Sequence, residues 1–237
     1  MSKLKVSKTF KYKGLNKNLS KEKVVLILSG GCDSTTLLYD LLNQNYEVYT
    51  LSFDYQQKHS IELSKAIETC EKLKVNYKIL DLSILNEIAP SALTRKDWNI
   101  PLGHYKDENM KQTIVPNRNM IMLSLAISYA IGIKATKVFY GAHAGDHRIY
   151  PDCRPAFINA MKKVASLCDF NKIELIAPYQ NINKSDIVKK GLKLNVDYSL
   201  TQTCYSGKEK ACGKCGSCVE RLEAFKINHT TDPLSYQ

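Results

Sequence analysis

Residues 24–42 combine a buried strand, a glycine turn and a helix, and this order limits the possible folds most. The apolar run 24–28 predicts a strand, and leucines at 37, 38, 41 and 42 predict a helix. Between them, Gly30 and Gly31 allow a tight turn and a close approach to a ligand. Asp33, Ser34 and Thr35 are residue types that can cap the helix. The free N–H groups and positive dipole end of that helix predict a phosphate site.

Strand and helix patterns alternate along the rest of the chain. Strands are predicted at 47–53, 76–81, 137–141 and 173–177, and helices at 59–73, 119–133, 154–168 and 184–192. This alternation predicts an α/β fold with a parallel sheet and helices on both faces. The loops 29–34, 53–58 and 141–153 follow strands, so we expect them to share one crevice. The long irregular stretch 82–117 is typical of a functional loop or lid.

Length and charge favour one α/β domain of 237 residues with small additions. We divide it into a basic extension (1–23), an α/β core (24–195) and a C-terminal segment (196–237). The extension holds eight lysines and one glutamate and so supplies most of the net charge of +11. We interpret it as a solvated arm; weak contact with a nucleic acid or anionic protein is the alternative. Direct nucleic-acid binding by the core is not expected.

No apolar run is long enough to span a membrane, and the charged N-terminus lacks the apolar core of a secretion signal. Half of the eight cysteines are scattered at 32, 70, 153 and 168, which does not suggest a disulfide framework. These features predict a cytoplasmic protein without a membrane span.

The remaining cysteines, Cys204, Cys212, Cys215 and Cys218, form a compact cluster. Four thiolates at this spacing favour one closed, structural Zn²⁺ site per chain that would stabilise the C-terminal segment. An iron–sulfur cluster is an alternative, because it also uses closely spaced cysteines. A redox pair leaves two of the cysteines unexplained, and a cluster without metal is the remaining possibility.

The glycine turn does not match other known phosphate-binding motifs. No G-x-x-x-x-G-K-[ST] motif lies near it, and it is not a G-x-G-x-x-G fingerprint. Its full string instead resembles the pyrophosphate loop of the ATP pyrophosphatases, which cleave ATP between the α and β phosphates. A purely structural turn is the alternative. The resemblance implies ATP binding by Leu28, Ser29, Gly30, Gly31, Cys32, Asp33, Ser34, Thr35, Thr36, Leu37 and Leu38.

Further strings resemble one family within that superfamily, the 7-cyano-7-deazaguanine synthases of queuosine-type biosynthesis. They are LSGGCDSTT (28–36), SFDY (52–55), SALT (91–94), VPNRN (115–119), YPDCRP (150–155), DYSLT (197–201) and the four-cysteine cluster. The resemblance extends from residue 24 to about residue 233. Gln56 departs from the family, since glycine commonly follows the Phe-Asp-Tyr string, and so this loop is expected to differ.

The resemblance implies an adenine nucleotide α-hydrolase-like fold and a reaction. The substrates would be 7-carboxy-7-deazaguanine, ammonia and ATP, and the nitrile 7-cyano-7-deazaguanine would form through an adenylate and an amide. AMP and pyrophosphate would be released, ADP would not, and a homodimer is expected. One alternative stops at 7-amido-7-deazaguanine or transfers the base to another amine; others are a tRNA-modifying ATP pyrophosphatase and a nucleotide-binding module without turnover.

Candidate catalytic residues follow from these motifs. The backbone amides of residues 29–35, with the hydroxyls of Ser29 and Ser34, would hold the pyrophosphate. Asp33 would orient the loop or help to bind Mg²⁺. Arg118 could pair with a phosphate or the substrate carboxylate, or could instead buttress a helix start. His143, Asp146 and His147 follow a strand, so they could face the crevice, transfer protons or bind the base, although a loop histidine is often structural.

Overall fold

The structure is a computed structural model that describes residues 7–10, 21–103 and 108–237. Its six strands are β1 (Ser7–Lys8), β2 (Lys23–Ile27), β3 (Glu47–Asp54), β4 (Asn76–Asp81), β5 (Lys137–Phe139) and β6 (Glu174–Ile176). Its seven α-helices are α1 (Cys32–Asn43), α2 (Ile61–Leu73), α3 (Ile84–Ile88), α4 (Arg118–Ile133), α5 (Pro155–Ala165), α6 (Lys184–Lys193) and α7 (Gly216–Ile227). Both sets refer to the described part of the chain.

The strands form one sheet in the order β1-β4-β3-β2-β5-β6. All neighbouring strands are parallel except β1, which runs antiparallel to β4 at one edge. The chain reverses its direction of winding between β2 and β5, because β3 lies on one side of β2 and β5 on the other. Ligands of doubly wound sheets bind at such a point, beyond the carboxyl ends of the strands.

Two apolar cores cover the two faces of the sheet, as alternating side chains of a strand require. In β2, Val25 packs into the core that contains Leu123 of α4 and Ile158 of α5. Val24 and Leu26 pack on the opposite face, in the core formed with α1, α2 and α6. The predicted α/β class with helices on both faces of a mostly parallel sheet is therefore confirmed.

Helix α7 was not predicted from the sequence, and it packs against α6. Its Arg221 is fully buried and forms a two-pronged ion pair with Asp232, with Nε 2.7 Å from Oδ2 and Nη2 2.8 Å from Oδ1. The C-terminal segment is thus a helix attached to the core as well as a cysteine cluster. The boundaries that we assign to the domains stay predictions.

The described part of the basic extension contacts the core. Strand β1 pairs Ser7 with Lys78 and Lys8 with Tyr77, and the Phe10 amide donates to Asn76 Oδ1 at 2.6 Å. An unpaired strand edge offers backbone groups for such pairing, which explains why this part is not a free arm. Lys23 opens β2. Lys3, Lys5, Lys11, Lys13 and Lys17 lie outside the described residues.

The stretch 82–117 is partly regular. It contains α3 and a 3₁₀ turn at Glu108–Thr113, and it packs against the cysteine segment through a Gly103 amide that donates to the Lys214 carbonyl at 3.1 Å. Residues 104–107 of the predicted lid lie outside the described residues. Among the described helices, none is both long and apolar enough to cross a bilayer.

Candidate active site

A cavity opens at the carboxyl ends of β2, β3 and β5, where the winding of the sheet reverses. Its walls include residues from each of the three loops that we expected to share a crevice: Ser29, Ser34, Tyr55, Gln57, His143 and Asp146. The crevice prediction is therefore confirmed for the described residues. Parallel strands place the loops that follow them at one edge of the sheet, so residues distant in sequence meet there.

The glycine turn is held by its own serines. Ser34 Oγ accepts a hydrogen bond from the Ser29 amide at 3.2 Å and lies 3.0 Å from Ser29 Oγ, which accepts from the Gly31 amide at 3.2 Å. Gly31 is the N-cap of α1, and no side chain caps this helix. The capping expected of Asp33, Ser34 and Thr35 was therefore wrong. Ser34 instead fixes the turn, and the N-terminus of α1 is left for a ligand.

Gly30 is required by close packing as well as by the turn. Its φ is +90°, which side chains rarely adopt. A Cβ at this position would lie 2.0 Å from the backbone oxygen of Glu62 in the first turn of α2. Helix α2 consequently lies directly against the turn and carries its first residues into the cavity wall.

The predicted ATP segment divides into two groups. Leu28, Ser29, Gly31, Asp33 and Ser34 line the cavity. The others turn away: Leu37 and Leu38 are buried in the core, and Thr36 Oγ1 lies 2.8 Å from the hydroxyl of Tyr198. Cys32 is fully buried, and burial raises the pKa of its thiol to about 12. We therefore interpret Cys32 as a packing residue of the ATP segment.

Asp33 and Lys184 form the charged centre of the cavity. Lys184 Nζ lies 2.7 Å from Asp33 Oδ2 and 3.3 Å from Glu220 Oε2, and its side chain is 8% exposed. Burial opposes ionisation of Asp33, but Lys184 and His143 outweigh it and hold the pKa of Asp33 below its ordinary value. Burial also opposes the charge of Lys184, yet Asp33 and Glu220 raise the pKa of Lys184 well above its usual range. Both groups are ionised at neutral pH.

His143 lies beside this pair. Its Nε2 is 3.6 Å from Asp146 Oδ1 and 3.8 Å from both Asp33 Oδ2 and Glu220 Oε2. Its Nδ1 accepts from the Gly145 amide at 3.0 Å, which fixes the ring. The predicted residues His143 and Asp146 are thus brought together at the cavity. His147 is not among the cavity-lining residues; its Nε2 is buried, and its carbonyl accepts from Arg154.

Arg118 reaches the cavity from the start of α4. Its Nη1 donates to the hydroxyl of Tyr55 at 3.2 Å, and its guanidinium lies 5.8 Å from the ring centroid of Tyr55. The helix start itself is capped by Asp152, whose Oδ2 accepts from the Asn119 amide at 3.1 Å. Asp152 therefore supports the start of α4, and the side chain of Arg118 remains directed at the cavity.

Several residues of the site were not singled out from the sequence: Lys184, Glu62 and His59 line the cavity, and Glu220 pairs with Lys184. Lys184 follows a predicted strand and begins a predicted helix, so its position at the sheet edge could have been inferred. Glu220 could not, because it lies on the unpredicted α7. Glu62 and His59 look like ordinary first-turn residues of an amphipathic helix.

The cysteine cluster lies apart, between the irregular stretch and α7. The four Sγ atoms all lie within 4.8 Å of one another, and a tetrahedral zinc–thiolate site requires sulfurs about 4 Å apart. Backbone amides already support the sulfurs: Cys212 donates to Cys204 Sγ at 3.2 Å, and Cys215 donates to Cys212 Sγ at 3.3 Å. The donor set and its spacing fit one structural metal ion.

Comparison with known proteins finds similar sequences over most of the chain. The chain is 61% identical over 215 residues to the 7-cyano-7-deazaguanine synthase of Caldicellulosiruptor saccharolyticus, which covers 91% of this chain and 96% of the relative. It is 60% identical over 215 residues to the synthase of the same name from Methanoregula boonei, covering 91% of this chain and 99% of the relative.

Solved structures share the fold at low identity. The NMN synthetase of Francisella tularensis matches with a TM-score of 0.51 and 13% identity, covering 89% of this chain and 79% of that one. A 4-thiouridine synthetase, solved with RNA and bound ATP, matches with a TM-score of 0.51 and 18% identity over 85% of this chain and 50% of that one.

The family model described as "Queuosine biosynthesis protein QueC" matches residues 23–229, nearly the whole described core and the cysteine segment. The resemblance found in the sequence motifs is thereby confirmed. Its match length, together with relatives about 60% identical over nine-tenths of the chain, establishes that the chain belongs to the QueC family of queuosine biosynthesis proteins.

Proposed function

We propose that this protein converts 7-carboxy-7-deazaguanine, ammonia and two ATP molecules into 7-cyano-7-deazaguanine, two AMP and two pyrophosphates. One observation carries the proposal: the glycine turn, held by Ser29 and Ser34, and the Asp33–Lys184 pair line the same cavity. Family membership and the names of the relatives support a 7-deazaguanine substrate.

In the first step, a carboxylate oxygen attacks the α-phosphorus of ATP, and the bond between that phosphorus and pyrophosphate breaks. Negative charge accumulates on the phosphoryl oxygens. The free N-terminus of α1, the hydroxyls of Ser29 and Ser34, and the ammonium of Lys184 all face this charge. Catalysis therefore depends on positioning and charge stabilisation, and no protein nucleophile is needed.

Ammonia then attacks the carbonyl carbon of the adenylate, and the C–O bond to AMP breaks to give the amide. The amide oxygen attacks a second ATP, again with release of pyrophosphate. Loss of AMP and of the nitrogen-bound protons leaves the nitrile. The carboxylate oxygens thus leave on AMP, which is a far better leaving group than oxide.

Asp33 Oδ1 fits a magnesium ligand, because it is buried and has no hydrogen-bond partner among the described residues. When bound with ATP, Mg²⁺ would neutralise phosphate charge. Arg118 is assigned to the substrate carboxylate or a phosphate, since its guanidinium faces the cavity beside Tyr55. His143 and Asp146 are assigned to the cavity wall next to Asp33. The cysteine cluster is assigned to one structural Zn²⁺.

Product analysis tests the proposal. The protein is incubated with ATP, ammonium and 7-carboxy-7-deazaguanine, and the base and nucleotide products are identified by mass spectrometry. Nitrile with AMP is expected. Amide that accumulates without nitrile would support the amide-forming alternative, and a requirement for tRNA in place of the free base would support the RNA-modifying one. ADP as the nucleotide product would refute the proposal. The homodimer and the cytoplasmic location stay predictions.

A further inference from the structure

Glu62 is a buried carboxyl group in the cavity wall that the adenylation step does not use. It lies in the first turn of α2, its side chain is 11% exposed, and it lines the cavity with Arg118 and Lys184. Because its backbone oxygen would meet a Cβ on Gly30 at 2.0 Å, the residue sits directly against the phosphate-binding turn. Burial of a charged carboxylate costs free energy, so a carboxyl group at this position points to a functional role.

The surroundings of Glu62 make it a stronger base than an ordinary carboxylate. Burial raises the pKa of Glu62 well above its usual range; Arg118 and Lys184 oppose this effect, and Asp33 and Cys204 reinforce it. A carboxylate whose pKa is raised is a stronger base, and it holds a proton that an ordinary carboxylate would release.

His59 is a titratable neighbour of Glu62, with Nε2 3.9 Å from Glu62 Oε2. It does not supply a compensating charge, because burial, assisted by Arg118, lowers the pKa of His59 to about 3. The spacing resembles an ion pair, but the imidazole is neutral at physiological pH. His59 Nδ1 is also buried without a hydrogen-bond partner among the described residues. Glu62 thus keeps its carboxyl oxygens available to a cation from the cavity.

The proposed reaction brings such a cation. At neutral pH ammonium predominates over ammonia, and only ammonia has the lone pair that attacks the adenylate. One proton must leave ammonium before the attack, and a second leaves nitrogen when the neutral amide forms. A base beside the acyl-adenylate can accept the first proton from bound ammonium, while the phosphate oxygen of the departing AMP can accept the second.

We infer that Glu62 binds ammonium in the cavity and accepts its first proton, so that ammonia is released next to the adenylate. The N–H bond of ammonium breaks, and its electron pair stays on nitrogen and forms the new N–C bond. The protonated Glu62 then returns its proton to water. This inference rests on the proposed function and assigns Glu62 to the amide-forming step alone.

The nitrogen nucleophile provides the test. Hydroxylamine is mostly unprotonated at neutral pH, so it needs no such base. We compare the wild type with Glu62→Gln, using ammonium or hydroxylamine, and measure amide or hydroxamate by mass spectrometry. Adenylation is followed separately as exchange of labelled pyrophosphate into ATP without nucleophile. Glu68→Gln is the matched control, because Glu68 lies on the same helix but is exposed and does not line the cavity.

Glu62→Gln should retain pyrophosphate exchange and hydroxamate formation near the wild-type rates, while amide formation from ammonium falls about 100-fold. Glu62→Asp, which keeps the carboxylate, should recover part of the ammonium reaction. Equal losses with both nucleophiles, or no loss with either, would overturn the inference. Absence of exchange in the wild type would overturn the proposed function itself, and with it this role of Glu62.

Discussion

At the scale of single residues, the proposed chemistry depends on ionised side chains in the cavity. Asp33 and Lys184 are 151 positions apart in sequence and 2.7 Å apart in the cavity. Each keeps the other ionised in surroundings that would otherwise disfavour both charges. The pair thereby holds a cation at the phosphate-binding turn before ATP arrives, which avoids the reorganisation that water would require.

Asp33→Asn should lower AMP formation by about 100-fold or more, because it removes the carboxylate that orients Lys184 and is assigned to Mg²⁺. The rate of AMP release at saturating ATP measures this effect. Asp97→Asn is the control, since Asp97 pairs with Arg95 on the exposed surface. Normal turnover in Asp33→Asn would contradict the role of Asp33.

The stability of Asp33→Asn relative to the wild type should also depend on pH. The pKa of Asp33 is lowered in the folded protein, so ionised Asp33 stabilises the fold above the pKa of an unfolded aspartate, about 3.9. That contribution is lost as the pH falls through the lower folded value. The difference in unfolding free energy between wild type and Asp33→Asn should therefore be constant near neutrality and shrink below about pH 4. Urea titrations across this range measure it, and a difference that grows on acidification would contradict the ion pair.

At the scale of elements, the site is made by packing a turn against a helix. Gly30→Ala should destabilise the protein by more than about 1 kcal/mol, because the added Cβ meets α2 at a positive φ. Gly132→Ala is the matched control, since Gly132 lies in α4 with open space around a Cβ, and it should stabilise by about 0.5–1 kcal/mol. Urea unfolding of both variants decides the point; Gly30→Ala as stable as wild type would refute the close packing.

Elements with a strong local pattern could be predicted from the sequence, and those without one could not. Strand β4 was predicted with the bounds that the structure has, and α4 to within one residue, because their apolar patterns are long and end clearly. Helix α7 was missed because it begins inside the cysteine motif at Gly216 and has no distinct apolar face. Strand β1 was missed because only two residues pair, within a lysine-rich stretch.

The same distinction applies to the residues of the site. The turn and the cysteines are contiguous strings whose chemistry can be read directly. The partners of Asp33 cannot, because Lys184, His143 and Glu220 come from three other segments and meet only through the sheet topology. Gln56 shows a further limit: it adopts a φ of +59° despite its side chain, so the chain tolerates a conformation that favours glycine.

At the scale of the whole molecule, the cysteine cluster joins the C-terminus to the core. The purified protein should contain about one Zn²⁺ per chain, and Cys215→Ser should lose it and unfold at lower temperature, because the energy of metal binding contributes to folding. Cys168→Ser is the control, since Cys168 is exposed and outside the cluster. Elemental analysis and thermal unfolding measure both effects. Iron in place of zinc, or a fully stable Cys215→Ser protein, would contradict the assignment.

Oxygen labelling tests most directly whether the substrate carboxylate attacks the α-phosphorus of ATP. 7-Carboxy-7-deazaguanine carrying ¹⁸O in both carboxylate positions is converted with ammonium and unlabelled ATP, and the nucleotide products are analysed by mass spectrometry. We predict that each AMP carries one ¹⁸O atom, that pyrophosphate carries none, and that the nitrile retains none. Label in pyrophosphate or inorganic phosphate, or AMP without label, would contradict attack of the carboxylate on the α-phosphorus.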